Sequence, residues 1–264
     1  MPFSHTIPFE TSSGCVCWRG GCASNGNELQ SFLQGPVAAR LNDTEGSEEM
    51  SSHLRGLSLT GMGVQALEEV LAAEVPEERD WAIGEALAEA FLEAEHEVEL
   101  PWNSERDKRN PFASLPGADI VGLQRDGDSY RLALGEVKCS SEAQSPPQVM
   151  GGRSGGIGHQ IDNLAHNLGT ICQLLKWLLP RVKQTEHEEA FNQSCTRYFN
   201  SGLRDLTLFG ILIRDQEPRE TDLRARGNAL ATILQAPTHC LLHALYVPFP
   251  INELPGAIKK GGLS

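Results

Sequence analysis

The chain has 264 residues, of which 40% are hydrophobic and 22% are charged, so it can form one large domain or one domain with an added subdomain. Its formal net charge is −13, which disfavours tight DNA binding by the chain alone, because such affinity comes largely from neutralised phosphates. The sequence contains no run of about 18 apolar residues, and its start lacks the basic and apolar regions of a secretory signal. We therefore expect a cytoplasmic protein without a membrane span.

The seven cysteines are odd in number and spread along the chain, which argues against a disulfide framework and fits a reducing compartment. The segment "CVCWRGGC", Cys15 to Cys22, offers half of a metal site, but no CxxC pair and no histidine pair with zinc-finger spacing follows it. We expect reduced thiols in or near an N-terminal strand, with a metal site as the alternative.

The first part of the chain gives a weak pattern. The polar, acidic run from Asn42 to Ser52 predicts an exposed loop or linker. A helical pattern then begins at Gly63 and is broken by Pro76. Its apolar side consists of Val64, Leu67, Val70 and Leu71. We assign residues 1–75 to an N-terminal extension or subdomain and residues 76–264 to the main domain.

The main domain has the order helix, three strands, helix, strand, helix, strand. Its strands are predicted in "HEVELPW", "ADIVGLQ", "SYRLALGEVKC", "DLTLFGILIR" and "HCLLHALYVPF". Asp126-Gly127 marks a hairpin turn between the second and third strands. A long helix is predicted from about His159 to Leu179, where Pro180 ends it. This order predicts an α/β fold with a central mixed sheet flanked by helices.

The third strand, "LALGEVKCSS", ends its apolar face with two charges. Side chains alternate along a strand, so Glu136 and Lys138 share a face with the preceding leucines, and their burial needs compensation. Asp119 lies about seven residues before the hairpin turn and Glu136 about nine after it. With a bulge or register offset, the two carboxylates fall at the same end of strands about 4.8 Å apart.

Two carboxylates at that spacing can share a divalent cation that prefers hard oxygen ligands, such as Mg²⁺ or Mn²⁺. A neighbouring lysine can hold a nucleophilic water or stabilise a charged phosphate oxygen. We predict Asp119, Glu136 and Val137 as metal ligands in a site for metal-assisted hydrolysis. The alternative is a structural ion pair of Glu136 with Lys138 or Arg131.

The pattern "ADIVGL … LALGEVKCSS" resembles the signature of PD-(D/E)XK nucleases, in which an Asp opens the second core strand and E-x-K closes the third. The resemblance implies a restriction-endonuclease-like core that cleaves phosphodiesters. In that reading Asp119 and Glu136 bind the metal, and Lys138 assists the attacking water. The proline that usually precedes this Asp is not adjacent, since Pro116 lies three residues back.

The resemblance also implies two further catalytic residues. Many members carry a Glu on the first helix, where Glu85 and Glu89 lie one turn apart. We favour Glu85, because its small neighbours Gly84 and Ala88 allow close approach to the sheet. Surface solvation is the alternative for both. Some members carry a Gln on the helix after the E-x-K strand, and Gln160 has that place in this sequence.

At a narrower level, the chain is similar to the HamA family with its DUF1837 domain, the nuclease subunits of Hachiman-type antiphage systems. The similarity covers roughly Trp81 to Phe249 and is marked by "GEALAEAFL", "LPW", "GADIVGL" and "LALGEVKCSS". It implies an antiviral effector that acts with a helicase partner engaging DNA, which also accounts for the acidic chain. The alternative is a catalytically inactive nuclease-fold subunit that regulates or assembles a helicase complex. The intact set Asp119, Glu136 and Lys138 favours the nuclease.

Overall fold

The protein is an α/β fold, seen in a computed structural model that describes residues 2–57, 59–72, 80–107, 117–151 and 155–259. Its strands are β1 (His5–Ser13), β2 (Val16–Ala23), β3 (Val98–Glu99), β4 (Ile120–Asp126), β5 (Ser129–Ser140), β6 (Leu206–Arg214) and β7 (His239–Tyr246). Within the described residues they form one seven-stranded sheet of order β1-β2-β7-β6-β5-β4-β3. The four strands β2, β7, β6 and β5 are parallel, and antiparallel strands flank them on both sides.

Helices flank both faces of this mixed sheet. They are α1 (Asn27–Phe32), α2 (Ala38–Leu41), α3 (Thr44–Arg55), α4 (Gly61–Ala72), α5 (Asp80–His96), α6 (Ser104–Asp107), α7 (Ile157–His166), α8 (Leu168–Val182), α9 (Glu188–Asn200), α10 (Arg224–Ile233) and α11 (Leu254–Lys259). A π-helical segment, Leu33–Val37, joins α1 to α2. None of the helices in the described ranges combines the length and the apolar composition that crossing a membrane requires.

Two apolar cores lie on the two faces of the sheet. One contains Leu132 and Leu134 of β5 and packs against α7, α8, α9 and α10. The other contains Ala133 and Val137 of β5 and packs against α5, the N-terminal helices and α11. Each fully buried leucine or valine contributes roughly 1.5–3 kcal/mol to folding. The prediction that β5 is a central strand, covered on both faces, is confirmed.

The first 60 residues contribute to the same sheet. β1 and β2 form an antiparallel pair, and β2 continues the sheet beside β7. The run Asn42 to Ser52, predicted as a loop, lies mostly in helix α3 (Thr44–Arg55), so that prediction is wrong. α3 buries none of its residues, so it needs no apolar stripe that sequence periodicity would reveal. The boundary at residue 75 falls within 73–79, outside the described residues, and the division into 1–75 and 76–264 stays a prediction.

The long helix predicted from His159 to Leu179 is two helices, α7 and α8. Asn167 separates them with an extended backbone, and its side-chain oxygen accepts hydrogen bonds from the N–H groups of Gly169 and Thr170 at 2.9 and 3.2 Å. This is an N-cap. Pro180 does not end the helix, which continues to Val182. The proline lacks the N–H that would bond to the carbonyl of Lys176, and the helix continues for only two residues beyond it.

The hairpin between β4 and β5 sets the position of the charged residues. Asp126 pairs with Ser129, so the loop is Gly127-Asp128, one residue later than predicted. Gly127 has a positive φ of 63°, as glycine at the first loop position of a type II′ turn does. The ladder then runs without interruption to the pair Ile120–Gly135.

Candidate functional site

The site lies where β5 extends beyond β4. β4 begins at Ile120, whereas β5 continues to Ser140 and is paired there with β6 alone. The N–H of Asp119 donates to the carbonyl of Gly135 at 2.9 Å, although Gly135 is also the register partner of Ile120. Asp119 and Ile120 thus both face Gly135, which is the pattern of a β-bulge and agrees with the predicted bulge or register offset. The loop at Gly127-Asp128 places both carboxylates at equal distance along the chain from the turn.

Three charged side chains meet at this end of the sheet. Lys138 Nζ donates to Glu136 Oε1 at 2.6 Å and to Asp119 Oδ2 at 3.4 Å. Asp119 Oδ2 also accepts a hydrogen bond from the N–H of Val137 at 3.0 Å. The Glu136 side chain is 5% exposed, whereas those of Asp119 and Lys138 are 20% and 28% exposed. The sequence-predicted set is thus brought together in a cluster that is open to solvent on one side.

Charge is unbalanced in this cluster. Burial, reinforced by repulsion from Asp119, raises the pKa of Glu136 to about 7, although Lys138 opposes the shift. Burial alone lowers the pKa of Lys138, but the charges of Asp119 and Glu136 outweigh it and raise that pKa. The lysine therefore stays cationic while the two acids compete for it. A further cation would relieve the repulsion that holds the pKa of Glu136 up.

The atoms present fit a divalent cation of the Mg²⁺ type. The N–H and C=O of one strand residue point to the same neighbouring strand, so the carbonyl of Val137 faces the open edge beside Asp119, as its N–H does. Among the described residues no three His, Cys, Asp or Glu side chains converge on one point. Mg²⁺ is commonly held by one or two carboxylates with several waters. Asp119, Glu136 and the Val137 carbonyl match that donor set.

Glu85 reaches the same end of β5 from the opposite face of the sheet. It is half-buried on α5 and lines a cavity of about 510 Å³ that Val137, Lys138 and Cys139 also border. Gly84 permits this approach, since a Cβ at its position would collide with the Cys139 sulfur. The structure therefore agrees with the reason for which Glu85 was favoured, the close contact of its helix with the sheet.

Glu89 has a different environment. Its side chain is 2% exposed and accepts a hydrogen bond from Arg40 Nε at 2.7 Å. Surface solvation, the alternative given for this residue, is therefore wrong. The pair ties α2 to α5, and Arg40 also donates to the carbonyl of Leu100 at 3.3 Å. This is a structural ion pair, which leaves Glu85 as the candidate on α5.

The predicted role of Gln160 is neither supported nor opposed by a contact. The start of α7 packs on β6 beside the site, since a Cβ on Gly210, the β6 residue paired with Glu136, would lie 3.0 Å from Ile157. Gln160 is half-buried on this helix. Its side chain makes no hydrogen bond to another residue of the described ranges, so its catalytic role stays a prediction.

The alternative for Glu136, a structural ion pair with Lys138 or Arg131, is supported only in part. Arg131 turns to the other end of the strand, where it pairs with Asp126 at 3.0 Å and Asp205 at 3.1 Å. It is therefore not the partner of Glu136. The short Glu136–Lys138 contact does exist, but it includes Asp119 and lies at an accessible edge. An isolated structural pair does not account for the second carboxylate.

The N-terminal cysteines lie in and beside β2, where thiols were predicted. All seven cysteines fall within the described residues and are free. Burial raises the pKa of Cys15 and of Cys22. Side chains alternate across a strand, so Cys22 lies on the face opposite Cys15 and Cys17. The three sulfurs therefore do not point to one common ligand position.

One wall of the cavity beside Lys138 comes from a segment that no sequence pattern predicts. It consists of Ile251, Asn252, Leu254 and Pro255, after the last strand. Asp215 anchors this segment, since it accepts hydrogen bonds from the N–H of Ile251 at 3.0 Å and from Ser141 at 2.7 Å. The segment is too short for a periodic apolar pattern, and only its prolines mark it as a turn.

Comparison with known proteins adds no relative to this picture. No protein-family model matches the chain, and no curated protein matches it. The functional inference therefore depends on the residues of the site and on their arrangement.

Proposed function

We propose that the chain is a Mg²⁺- or Mn²⁺-dependent deoxyribonuclease of the PD-(D/E)XK superfamily. It would be most like the HamA subunit of Hachiman-type antiphage systems and would act with a helicase partner in the cytoplasm. The convergence of Asp119, Glu136 and Lys138 at the open end of β5 carries this proposal. The chain order α5, β3, β4, β5, helices and β6, with these strands adjacent in the sheet, supports a restriction-endonuclease-like core.

Each residue of the site has a defined task. Asp119, Glu136 and the Val137 carbonyl would hold the divalent cation. When bound, this cation would polarise the scissile phosphate. It would also lower the pKa of a bound water, which makes a hydroxide nucleophile available at neutral pH. Lys138 keeps its proton and offers N–H donors to a phosphate oxygen or to the attacking water. Glu85 adds a carboxylate at the other side of the same strand end.

The acidic chain favours action within a complex. A net charge of −13 opposes the approach of DNA, and neutralised phosphates supply most of the affinity in such encounters. A helicase partner that grips the DNA would bring the phosphodiester to the site. We expect weak, salt-sensitive DNA binding by the isolated chain, and tight binding at physiological salt without a partner would contradict this part of the proposal.

Degradation of a supercoiled plasmid tests the proposal directly. The chain, alone and with the protein encoded by its neighbouring gene, should cleave DNA with Mg²⁺ and lose this activity with EDTA. Glu136→Ala and Lys138→Ala should abolish cleavage while circular dichroism and partner binding stay unchanged. Asp128→Asn is the matched control, because Asp128 is an exposed acid in the hairpin loop at the far end of β5.

Two outcomes would count against the proposal. Full nicking by metal-replete Glu136→Ala protein would remove these residues from the active site. No cleavage by the wild-type complex with either Mg²⁺ or Mn²⁺ would favour the non-catalytic subunit instead. Calorimetric titration with Mg²⁺ distinguishes a misassigned site from an inactive one. A cation site without nuclease activity still gives heat of binding, and the Glu136→Ala variant lacks that heat.

A further inference from the structure

Helices α3 and α4 form a pair that stands apart from both cores. Residues 44–57 and 59–72 include no buried side chain. Arg55 and Glu68 join the two helices through hydrogen bonds of 2.9 and 3.0 Å. Helices in proteins gain most of their stability from packing an apolar face, so a pair without buried residues has a face that another surface can cover.

Apolar side chains are concentrated on this pair. Six of the eleven large apolar side chains that are exposed within the described ranges lie between residues 50 and 70. They are Met50, Leu57, Leu59, Met62, Val64 and Val70, with Met62 exposed by 85% and Val70 by 68%. Val64 and Val70 belong to the side of α4 that periodicity predicts to be buried. Single exposed apolar residues are ordinary, but six within a stretch of 21 residues are a concentration typical of a binding surface.

The charges around these residues define the partner. Between residues 44 and 72 the chain carries five acids and one arginine. The acids are Glu45, Glu48, Glu49, Glu68 and Glu69, and Glu68 is paired with the arginine, Arg55. A second copy of the chain would bring like charges together, which costs binding energy. A partner surface with basic residues around an apolar centre complements both features.

We propose that α3 and α4 form the docking surface for a basic, apolar helix face of the helicase partner. The location follows from these two helices, whereas the identity of the partner rests on the proposed function. A protein that grips DNA carries clustered Lys and Arg, the charge this surface selects. Met50 and Met62 have flexible side chains that adapt to a partner, and methionine is enriched at the cores of interfaces.

Affinity between the full-length chain and the protein encoded by its neighbouring gene tests the surface. Combining Met62→Asp with Val70→Asp should weaken binding by about tenfold or more, although the added negative charge favours a basic partner. Phe199→Asp on α9 is the matched control, since Phe199 is 55% exposed, and it should leave affinity unchanged. Charge reversal by Glu48→Lys with Glu69→Lys should also weaken binding, whereas Glu186→Lys, at an 88% exposed site, should not.

Methionine oxidation by peroxide, read by mass spectrometry, gives a second measurement. Met50 and Met62 should oxidise in the free chain and be protected in the complex, while Met150, only 4% exposed, stays protected in both. If the α3–α4 variants bind with unchanged affinity and Met62 still oxidises in the complex, the docking surface alone is overturned. A wild-type dimer that Val70→Asp dissociates overturns the choice of partner. If the two proteins form no complex, both this inference and the proposed helicase partner are overturned. The nuclease activity is tested separately, by Mg²⁺-dependent cleavage.

Discussion

Two charged clusters lie at the same end and on the same face of the sheet, and they differ in how their charges are compensated. In the first, Asp119, Glu136 and Lys138 meet at the open edge of β5. In the second, Arg214 at the end of β6 lies 3.5 Å from Asp222, and both side chains are at most 1% exposed. The register pairs Glu136 with Gly210 and Ser140 with Arg214, so the two clusters are neighbours.

The Arg214–Asp222 cluster is closed and balanced. It contains one positive and one negative charge, and hydroxyl groups complete it. Tyr246 donates to Asp222 at 2.8 Å and Ser145 donates to it at 2.5 Å. Arg214 donates to the carbonyl of Glu142 at 2.8 Å, which holds the segment after β5 against the sheet. Within the described residues Arg214 Nε and Nη1 make no hydrogen bond, so the pair depends on its charge balance and on the bonds named above, which is typical of a buried structural ion pair.

The Asp119–Glu136–Lys138 cluster is open and unbalanced. Two acids face one lysine, and burial together with repulsion from Asp119 raises the pKa of Glu136 to about 7. A structural pair has no reason to retain such repulsion at an accessible edge. A pKa shifted by burial and a specific neighbour, in a cleft, is typical of a functional site. The contrast separates a closed group with balanced charges, which supports the fold, from an accessible group whose charges are not balanced.

The largest expected effect is the loss of cleavage on Glu136→Gln. This change removes a proposed metal ligand but keeps the shape of the side chain, so we expect cleavage to fall by roughly a thousandfold or more while the fold is kept. The rate of plasmid nicking and the midpoint of urea unfolding measure the two properties. A variant that retains activity, or that unfolds readily, would place Glu136 with the structural charges.

Asp222→Ala, in contrast, should lower the stability of the fold. It leaves Arg214 buried without its carboxylate, and breaking a buried pair costs about 3–5 kcal/mol of unfolding free energy. Urea unfolding monitored by circular dichroism measures this loss. Glu220→Ala is the control, because Glu220 is a neighbouring acid that is 32% exposed and should cost much less. A stability loss no larger than that of the control would remove the structural role of the Arg214–Asp222 pair.

Glu136 should also make the wild-type protein less stable as pH rises. Its folded pKa of about 7 lies above the ordinary value of 4.5, so the folded state binds the proton more tightly than the unfolded state. The contribution to stability is therefore fully present below pH 4.5 and is lost as pH rises through 7, by on the order of 2–3 kcal/mol.

The difference in unfolding free energy between wild type and Glu136→Gln, measured from pH 4.5 to 8, isolates this effect. Groups such as His96, whose pKa burial lowers to about 4, titrate in both proteins and cancel in the difference. Mg²⁺ at pH 7.5 should restore stability to the wild type and not to the variant, because ligand binding stabilises only a folded state that holds it. A difference that is flat with pH would contradict the unbalanced cluster.

The sheet that carries the site could be predicted from the sequence because its strands are continuous apolar runs between clear turn signals. "DLTLFGILIR" and "LALGEVKC" are nearly continuous apolar runs, which is typical of central strands buried on both faces. The regions whose structure was predicted wrongly lack such a pattern. α3 buries no side chain, and the break between α7 and α8 depends on one capping residue, Asn167, inside an otherwise periodic run. Neither leaves a signal in apolar spacing.

The site was predictable to the level of its three charged residues. Alternation along β5 and the hairpin turn, with an allowance for a bulge or register offset, brought Asp119 to the same end of the sheet as Glu136. Two features were beyond sequence reasoning, the raised pKa of Glu136 and the cavity wall around Ile251. The first depends on the balance between burial and neighbouring charges, and the second on a contact with Asp215 far along the chain. Arg214 and Asp222 read in sequence as ordinary surface charges, because nothing local indicates their burial.

The smallest expected effect is that of Ser145→Ala, which tests whether hydroxyl groups complete the buried cluster. The change removes the 2.5 Å hydrogen bond to Asp222, and a hydrogen bond to a charged group contributes about 1.5–3 kcal/mol. We expect a loss near the lower end, about 1.5 kcal/mol, because Tyr246 still donates to the same carboxylate. Ser141→Ala is the control, since its hydrogen bond to Asp215 at 2.7 Å is exposed and should cost less. Equal losses from both variants would show that burial does not strengthen the network, and the contrast with the open site would then depend on charge balance alone.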